Sequence, residues 1–164
     1  MLKQRIGIGY DVHQIAENRN LILGGVKIDF IIENKKYGLL AHSDGDVLTH
    51  AIIDSILGAC GMGDIGDHFP DTSEKYKNID SLILLKHVLD LIKEKYEIEN
   101  LDTIVIAQSP KISPYKQEIK RNLSKILQIE ESKINIKATT EEGLGFTGTK
   151  LGIAAKAICL VSHK

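Results

Sequence analysis

Three side chains of the types that bind transition metals are the strongest chemical signal in this sequence. Asp11 and His13 lie at the end of an alternating run, residues 5–12, that predicts a strand, and side chains two residues apart on a strand share a face. His50 lies one turn beyond Asp46 on a predicted helix. One carboxylate and two imidazoles form a catalytic zinc set that leaves a coordination position open. The alternative is an incidental Asp-x-His triplet and a packed helix histidine.

The segment just before that helix strengthens the metal hypothesis. It reads His42-Ser43-Asp44-Gly45-Asp46, and a helix N-terminus attracts anions through its free amides and its macrodipole. The two aspartates are also explained as helix caps, and Asp46 is the better candidate for that role. A cap has no need of the histidine upstream of it.

Two further segments are rich in glycine and acid. Residues 61–72 are long enough to form a functional loop. Residues 138–148 follow a predicted strand and contain the pair Thr139-Thr140 with Glu142. Hydroxyls and amides bind phosphate oxygens, and a carboxylate binds Mg2+, so this segment predicts a phosphate and cation cradle. A plain turn would explain its glycines but not its paired threonines.

The apolar pattern predicts an α/β fold. Residues 20–32 contain two short apolar runs around Gly24-Gly25 and predict a hairpin. The remaining predicted elements are a helix from Asp46 to Gly61 with a Ser43–Asp46 capping pattern, a helix from Asp80 to about Tyr96, a strand over 101–107, a helix from Ser113-Pro114 to about Gln128, and strands over 134–139 and 151–161. We expect one domain, residues 1–164, as a two-layer α/β (α+β) fold in which helices cover one face of a mixed sheet.

The second face of that sheet has no predicted cover. The final strand, residues 153–160, is too apolar for a solvated face, and residues 101–107 carry a similar apolar load. A sheet that is apolar on both faces with few helices indicates burial against other subunits. The sequence therefore predicts a homo-oligomer.

Composition limits the classes of partner. The 164 residues carry a formal net charge of −1, which offers no general field for nucleic acid or an anionic membrane. No apolar stretch reaches the length of a membrane span, and the start lacks a signal-peptide pattern. Cys60 and Cys159 lie far apart and fit no metal motif, which favours two buried thiols in a reducing compartment. We expect a cytoplasmic protein.

Five motifs in one order resemble a known family. They are GYDVH, LLAHSDGDVLTHAIIDSILGA, MGDIG with FPDT, IAQSPK and IKATTEEGLGFTG, and they run in register from about Arg5 to Val161. This pattern is similar to that of the 2-C-methyl-D-erythritol 2,4-cyclodiphosphate synthases. The resemblance implies a homotrimer with sheets packed around a three-fold axis and active sites between subunits. It also implies a cytidine diphosphate substrate that is cyclised with release of CMP.

The resemblance assigns roles by position in the motifs. The zinc ligands would be Asp11, His13 and His50, the catalytic residues His42 and Thr140, and the ligand of a second cation, Mg2+ or Mn2+, Glu142. The resemblance implies an erythritol loop at residues 64–66 and 69–73, and a cytosine pocket at residues 107–113 in which backbone groups read the base edge. The substrate-binding residues would be Ser43, Asp64, Ile65, Gly66, Phe69, Pro70, Asp71, Thr72, Ser73, Ala107, Gln108, Ser109, Pro110, Lys111, Ile112, Ser113, Thr139, Glu141 and Phe146.

The chain departs from the family pattern at three positions. Ser73 stands where an aspartate is common, Thr149 where an arginine often lines the trimer cavity, and Lys156 where a glutamate is usual. We expect three Lys156 side chains to ring the axis and attract an anion there. Two other functions fit some of the residues: a zinc phosphoesterase that uses metal-bound water, and a non-catalytic trimeric nucleotide-binding module.

Overall fold

The computed structural model describes residues 4–70, 72–76 and 79–164. Its strands are β1 (Gln4–Glu17), β2 (Leu21–Leu23), β3 (Val26–Ile28), β4 (Ile31–Ile32), β5 (Lys35–Leu40), β6 (Tyr96–Ile106), β7 (Ile134–Thr139) and β8 (Gly152–His163). Its α-helices are α1 (Val47–Cys60), α2 (Ile65–His68), α3 (Ser81–Ile92), α4 (Lys116–Leu127) and α5 (Gly145–Gly148). None of the described helices is long and apolar enough to cross a bilayer.

One mixed sheet organises the fold. Its strand order is β4-β5-β1-β8-β6-β7, and β2 pairs with β3 as a separate hairpin. β8 lies antiparallel to both β1 and β6, whereas β6 and β7 run parallel. The mixed sheet and the hairpin are therefore confirmed. β4 and β5 were absent from the predicted elements, because residues 31–40 carry too little apolar alternation to indicate a strand.

The glycines of β1 set the distance between the sheet and α1. A Cβ atom at Gly9 would lie 1.8 Å from the carbonyl oxygen of Ala51, and one at Gly7 would lie 2.0 Å from that of Ser55. No side chain fits at these two positions, so the helix backbone lies directly on the strand. The first turn of α1 is thereby held beside Asp11 and His13. These residues lie inside β1 and not at its end as predicted, because pairing with β5 extends the strand to Glu17.

Asp46 fixes the start of α1. Its carboxylate is fully buried and accepts the N–H of Gly24 (2.9 Å), the N–H of Gly25 (2.7 Å), and both the N–H and the hydroxyl of Thr49 (2.9 and 2.8 Å). One side chain therefore caps the helix and binds the hairpin tip to it. The predicted Ser43–Asp46 pair does not act as a capping box, because the Ser43 hydroxyl accepts the N–H of Gly45 (3.3 Å) instead.

Two other predicted helix boundaries were wrong. α3 ends at Ile92, and Tyr96 already belongs to β6, because the apolar spacing that defines the buried helix face stops at Ile92. The predicted cap at Ser113 is a short 3-10 turn, residues 113–115, and the α-helix begins only at Lys116. Proline there supports the tighter turn as well as it would a helix start.

Helices cover one sheet face and leave the other exposed. The covered face is packed with apolar residues such as Val105, Ile153 and Cys159. The opposite face presents large apolar side chains to solvent within one chain: Ile6, Ile8, Tyr10, Val12 and Ile158. Ile6 is 72% exposed and Ile8 69% exposed. The predicted one-sided helical cover and the uncovered apolar face are both confirmed.

Candidate active site

The three predicted metal ligands converge on one point. Asp11 Oδ2 lies 3.0 Å from His13 Nε2 and 3.0 Å from His50 Nδ1, and the two ring nitrogens lie 3.4 Å apart. β1 supplies the first two side chains from alternate positions, and α1 supplies the third from its first turn. A single ion can contact all three atoms, because they all lie within 4.8 Å of one another.

The electrostatics of this triad favour a cation. Burial alone would raise the pKa of Asp11, but hydrogen bonds and charge interactions with His13 and His50 outweigh it and lower that pKa to about 2. Burial would lower the pKa of His50, but the hydrogen bond and charge of Asp11, with the charges of Asp46 and Asp44, raise it. Asp11 thus brings a negative charge to the point where the ligand atoms meet, and this charge favours the binding of a metal dication.

The donor set also suits a transition metal. Two imidazoles and one carboxylate match the ligands of catalytic zinc sites, and a four-coordinate ion would keep one position for substrate or water. The free thiols Cys60 and Cys159 are both buried in the core and do not belong to this group of ligands. The residues present therefore fit a catalytic metal better than a closed structural one.

Five predicted substrate or catalytic residues share a cavity with the triad. The cavity has a volume of about 180 Å3 and opens beside the metal ligands. Its lining includes His42, Ser43, Ile65, Gly66 and Phe69. The segment before α1 and the loop after it therefore meet at the triad.

The other described residues of the predicted erythritol loop do not line this cavity. Asp64 caps α2, since its carboxylate accepts the N–H of Asp67 (3.0 Å). Pro70 and Thr72 are exposed, and the carbonyl of Pro70 accepts the N–H of Ser73 (3.0 Å). Asp71 lies outside the described residues.

The predicted cytosine pocket and phosphate loop form a second cluster. It lies at the carboxyl ends of β6 and β7, which meet at one edge of the sheet because these strands are parallel. The N–H of Ala107 donates to the carbonyl of Thr139 (3.0 Å), and the N–H of Gly143 donates to the side-chain carbonyl of Gln108 (3.2 Å). These contacts join two segments that are about thirty residues apart.

The side chains of this second cluster differ in what they can offer. The exposed Thr140 hydroxyl accepts the N–H of Glu142 (3.3 Å), and Glu141 accepts the hydroxyl of Thr147. Ala107 and Ile112 are only 5% and 3% exposed, so only their backbone groups can contact a ligand. The other predicted residues of the cluster, which are partly or fully exposed, are Ser109, Pro110, Lys111, Ser113 and Phe146.

Among the described residues of one chain, the two clusters do not share a cavity. The triad lies on β1 and α1, whereas the second cluster follows β6 and β7, and β8 separates β1 from β6 in the sheet. Among the described residues that line the triad cavity, none comes from 107–113 or 139–146. The residues predicted for one site thus form two separate clusters in a single chain.

The sequence reasoning missed two polar residues beside the triad. Asp54 lies one helical turn after His50, and its carboxylate accepts the N–H of Ile65 (2.8 Å), which ties α1 to the loop. Burial is the main cause of a raised pKa at Asp54, and the charges of Asp64 and Asp11 add to it. The hydrogen bond from Ile65 acts in the opposite direction but does not outweigh them. The i, i+4 spacing from His50 was a usable signal. Ser81, at the start of α3, gave no such signal, although its hydroxyl lies 2.8 Å from His50 Nε2.

Comparisons with known proteins agree with this fold and site. Residues 4–162 match the YgbB family. The chain is 61% identical over 158 residues to the 2-C-methyl-D-erythritol 2,4-cyclodiphosphate synthase of Clostridium acetobutylicum, covering 96% of this chain and 99% of that protein. It is 59% identical over 158 residues to the synthase of Clostridioides difficile, covering 96% and 95% of the two chains.

Solved structures are similar as well. The chain matches the bifunctional IspDF of Campylobacter jejuni with a TM-score of 0.93 and 44% identity, covering 100% of this chain but only 43% of that one. It matches IspF of Plasmodium falciparum, solved as a CDP complex, with a TM-score of 0.84 and 43% identity, covering 100% and 99% of the two chains.

The fold and the site first define a class: a mixed-sheet α/β protein with a candidate three-ligand metal site between a central strand and a helix start. Within that class, the chain belongs to the YgbB family of 2-C-methyl-D-erythritol 2,4-cyclodiphosphate synthases. It is an enzyme of non-mevalonate isoprenoid precursor synthesis.

Proposed function

We propose that the chain converts 4-diphosphocytidyl-2-C-methyl-D-erythritol 2-phosphate into 2-C-methyl-D-erythritol 2,4-cyclodiphosphate and CMP. An oxygen of the 2-phosphate forms a bond to the β-phosphorus, and the bond from that phosphorus to the α–β bridging oxygen breaks. CMP leaves with the bridging oxygen. The observation that carries the proposal is the convergence of Asp11, His13 and His50 beside a cavity lined by the predicted substrate loop.

The protein contributes position and charge to this reaction. Phosphoryl transfer needs in-line placement of the two oxygens and neutralisation of the charge on phosphate, and an internal attack needs no protein nucleophile. A zinc ion held by the triad would supply Lewis acidity toward phosphate oxygens. His42 lies in the cavity lining, where its imidazole can position the attacking phosphate. We assign Thr140 to the same task from the second cluster.

Glu142 is the proposed ligand of Mg2+ or Mn2+. Its exposed carboxylate lies in the loop after β7, next to the Thr140 hydroxyl. Magnesium is usually held by one or two carboxylates together with substrate phosphates and water, so a single glutamate fits such a site once the diphosphate is present. This arrangement supports a cation that Glu142 would hold together with the substrate, where it would neutralise phosphate charge, rather than a preformed all-protein cage.

The nucleoside and polyol ends of the substrate have separate proposed contacts. Ile65, Gly66 and Phe69 would hold the erythritol portion in the cavity, together with Ser43. Residues 107–113 would read the cytosine edge through backbone groups, which agrees with the burial of the Ala107 and Ile112 side chains. The relative from Plasmodium falciparum, solved as a CDP complex, supports a cytidine nucleotide as the ligand of this chain too.

We propose a homotrimer in which each active site lies between subunits. Two observations support it: the uncovered apolar sheet face and the separation of the two site halves within one chain. Lys156 rises from that same face, with Nζ 5.9 Å from the centre of the Tyr10 ring. The anion expected near Lys156 on the three-fold axis stays a prediction. We further propose one domain spanning 1–164 and a cytoplasmic location, which the free, buried thiols support.

Product analysis tests the reaction. Incubation of the zinc- and magnesium-loaded protein with the diphosphocytidyl substrate should give equal amounts of CMP and a cyclic diphosphate in the phosphorus NMR spectrum. Formation of free inorganic phosphate would instead identify a phosphoesterase. Binding of the nucleotide without turnover would identify a non-catalytic module.

A further inference from the structure

The His50 ring is held at both of its nitrogens. Nδ1 faces the point where the three candidate ligand atoms meet, and it lies 3.0 Å from Asp11 Oδ2. Nε2 faces away from that point and lies 2.8 Å from the hydroxyl oxygen of Ser81, the first residue of α3. Ser81 is fully buried, so water does not compete for this contact. Only the Nδ1 atom of this ring is therefore directed at a metal.

The direction of the Ser81 hydroxyl follows from its second neighbour. Asp44 Oδ1 lies 2.5 Å from Ser81 Oγ, and the same carboxylate accepts the N–H of Ser81 at Oδ2 (2.9 Å) and the N–H of Asp46 at Oδ1 (3.1 Å). An ionised carboxylate only accepts hydrogen bonds, so the hydroxyl hydrogen points to Asp44. The Ser81 oxygen is then left to accept a hydrogen bond from His50 Nε2.

Ser43 also approaches this nitrogen but does not fix its proton. Its hydroxyl lies 3.3 Å from His50 Nε2 and accepts the N–H of Gly45 at 3.3 Å. Both contacts are longer than the Ser81 contact, and neither specifies the direction of the hydroxyl hydrogen. The chain Asp44–Ser81–His50 is the one in which each donor and acceptor is determined.

We propose that Ser81 and Asp44 are positioning residues that, when a metal is bound, hold His50 as the tautomer protonated on Nε2, with the Nδ1 lone pair directed at the metal. Metal-bound histidines commonly donate their second ring N–H to an oxygen acceptor, and this partner orients the ring and raises its basicity. Here the acceptor is a serine hydroxyl that a carboxylate polarises. This inference rests on the proposed metal function of the triad.

The arrangement also couples the metal ligand to the docking of α3. Asp44 belongs to the segment before α1, and Ser81 begins α3, so the chain of hydrogen bonds joins the starts of two helices. The orientation of the His50 ring then depends on how α3 packs against that segment. Ser81→Ala removes the hydroxyl and frees the ring to turn or to change tautomer, with no direct contact to the metal lost.

A metal titration of the purified full-length chain tests the proposal. Zinc affinity is measured by competition with a chromophoric chelator, and the geometry of the site is read from the visible spectrum of the cobalt(II)-loaded protein. We expect Ser81→Ala to weaken zinc binding by about 10- to 100-fold and to change the cobalt spectrum. Ser55→Ala is the matched control, because Ser55 is equally buried on α1 and donates only to the Ile52 carbonyl (2.7 Å). It should bind zinc as the wild type does.

Asp44→Asn provides a second test of the proposed Asp44–Ser81–His50 chain of hydrogen bonds. In either orientation, the asparagine amide places its NH2 group against a backbone or hydroxyl donor that the carboxylate accepted. We therefore expect zinc affinity to fall by about 10-fold, the lower end of the range expected for Ser81→Ala. Wild-type zinc affinity together with an unchanged cobalt spectrum in folded Ser81→Ala would overturn the proposal. If that variant does not fold, the same result in Asp44→Asn would overturn it. Failure of the wild type itself to bind zinc would instead refute the proposed metal function.

Discussion

Asp11 is the residue on which the charge balance of the candidate site depends. One of its oxygens lies within 3.0 Å of both imidazoles, and their interactions outweigh burial and lower its pKa to about 2. A depressed folded-state pKa contributes stability that is present above the unfolded value, about 3.9, and is lost as the pH falls toward 2. At neutral pH the group is therefore an ionised ligand, ready for a cation.

Replacement of Glu142 tests the second cation. Glu142→Gln keeps the shape of the side chain but removes the charge that would attract Mg2+. We expect the magnesium concentration for half-maximal turnover to rise by about 10-fold, with turnover recovering at high magnesium. Steady-state kinetics over a magnesium series measures this shift, and zinc content should stay unchanged. An unaltered magnesium dependence would remove Glu142 from the second metal site.

The two thiols should be inert in the native protein. Cys159 is fully buried, and burial, with a smaller contribution from Cys60, raises its pKa to about 12; burial also raises the pKa of Cys60. At pH 8 the thiolate fraction of Cys159 is then lower than that of a free thiol by roughly three orders of magnitude. An aromatic disulfide reagent should react with two thiols only after denaturation. Rapid reaction of the native protein would contradict the burial of these residues.

The sequence predicted the residues of the triad but not all of the polar residues that lie beside them. Asp11 and His13 share a strand face by their spacing alone, and the capping pattern placed His50 in the first turn of a helix. Asp54 was within reach of the same reasoning, because it lies one turn after His50. Ser81 was not, since it contacts His50 only when α3 docks against the segment before α1, and that docking is a tertiary property.

At the scale of elements, β1 and α1 carry most of the site geometry. Their close packing depends on two glycines in β1, whose missing side chains let the helix backbone touch the strand. The strands with clear alternation and the helices with clear apolar faces were predicted from the sequence. The edge strands β4 and β5 and the start of β6 were not, because pairing with neighbouring strands, rather than local pattern, determines them.

Gly9→Ala should separate these two elements. Its Cβ would lie 1.8 Å from the Ala51 carbonyl oxygen, so strand and helix must move apart, and we expect a loss of about 3 kcal/mol in the free energy of unfolding. Chemical denaturation measures it. Zinc affinity should fall too, since His50 moves relative to Asp11.

Gly58→Ala is the control for that change. It lies on the same helix, but its Cβ would meet the nearest β1 atoms at 3.8 Å, an ordinary contact distance. Alanine is favoured over glycine in a helix by about 1 kcal/mol, so this variant should be as stable as the wild type or more so. Equal stability of Gly9→Ala and Gly58→Ala would contradict the account of the β1–α1 contact.

At the scale of the whole molecule, one face of the sheet presents large apolar side chains to solvent when a single chain is considered. The sequence predicted it because the final strand is apolar on both sides. The spacing of the motifs did not predict the spatial separation of the two site halves, which depends on the strand order; only the family resemblance implied it, by placing active sites between subunits. Both features support the proposed trimer, in which a neighbour would cover the face and complete the site.

A charge on that face should prevent assembly. Ile8 is 69% exposed in one chain, so Ile8→Glu should leave the fold intact but give a species of 18.1 kDa in sedimentation. Turnover should be lost while zinc binding by the triad persists. Leu91→Glu is the control, because Leu91 is exposed on α3, in the helical layer, and should leave the trimer unchanged. A wild type that sediments as a monomer would contradict the proposed assembly.

The metal triad is the central claim, and the X-ray absorption spectrum of the zinc-loaded protein tests it most directly. We predict a nearest shell of nitrogen and oxygen at about 2.0 to 2.2 Å with the outer scattering of two imidazole rings. In His13→Ala, both the zinc and the two-ring signal should be lost. A sulfur shell at about 2.3 Å, or zinc bound without imidazole scattering, would contradict coordination by Asp11, His13 and His50.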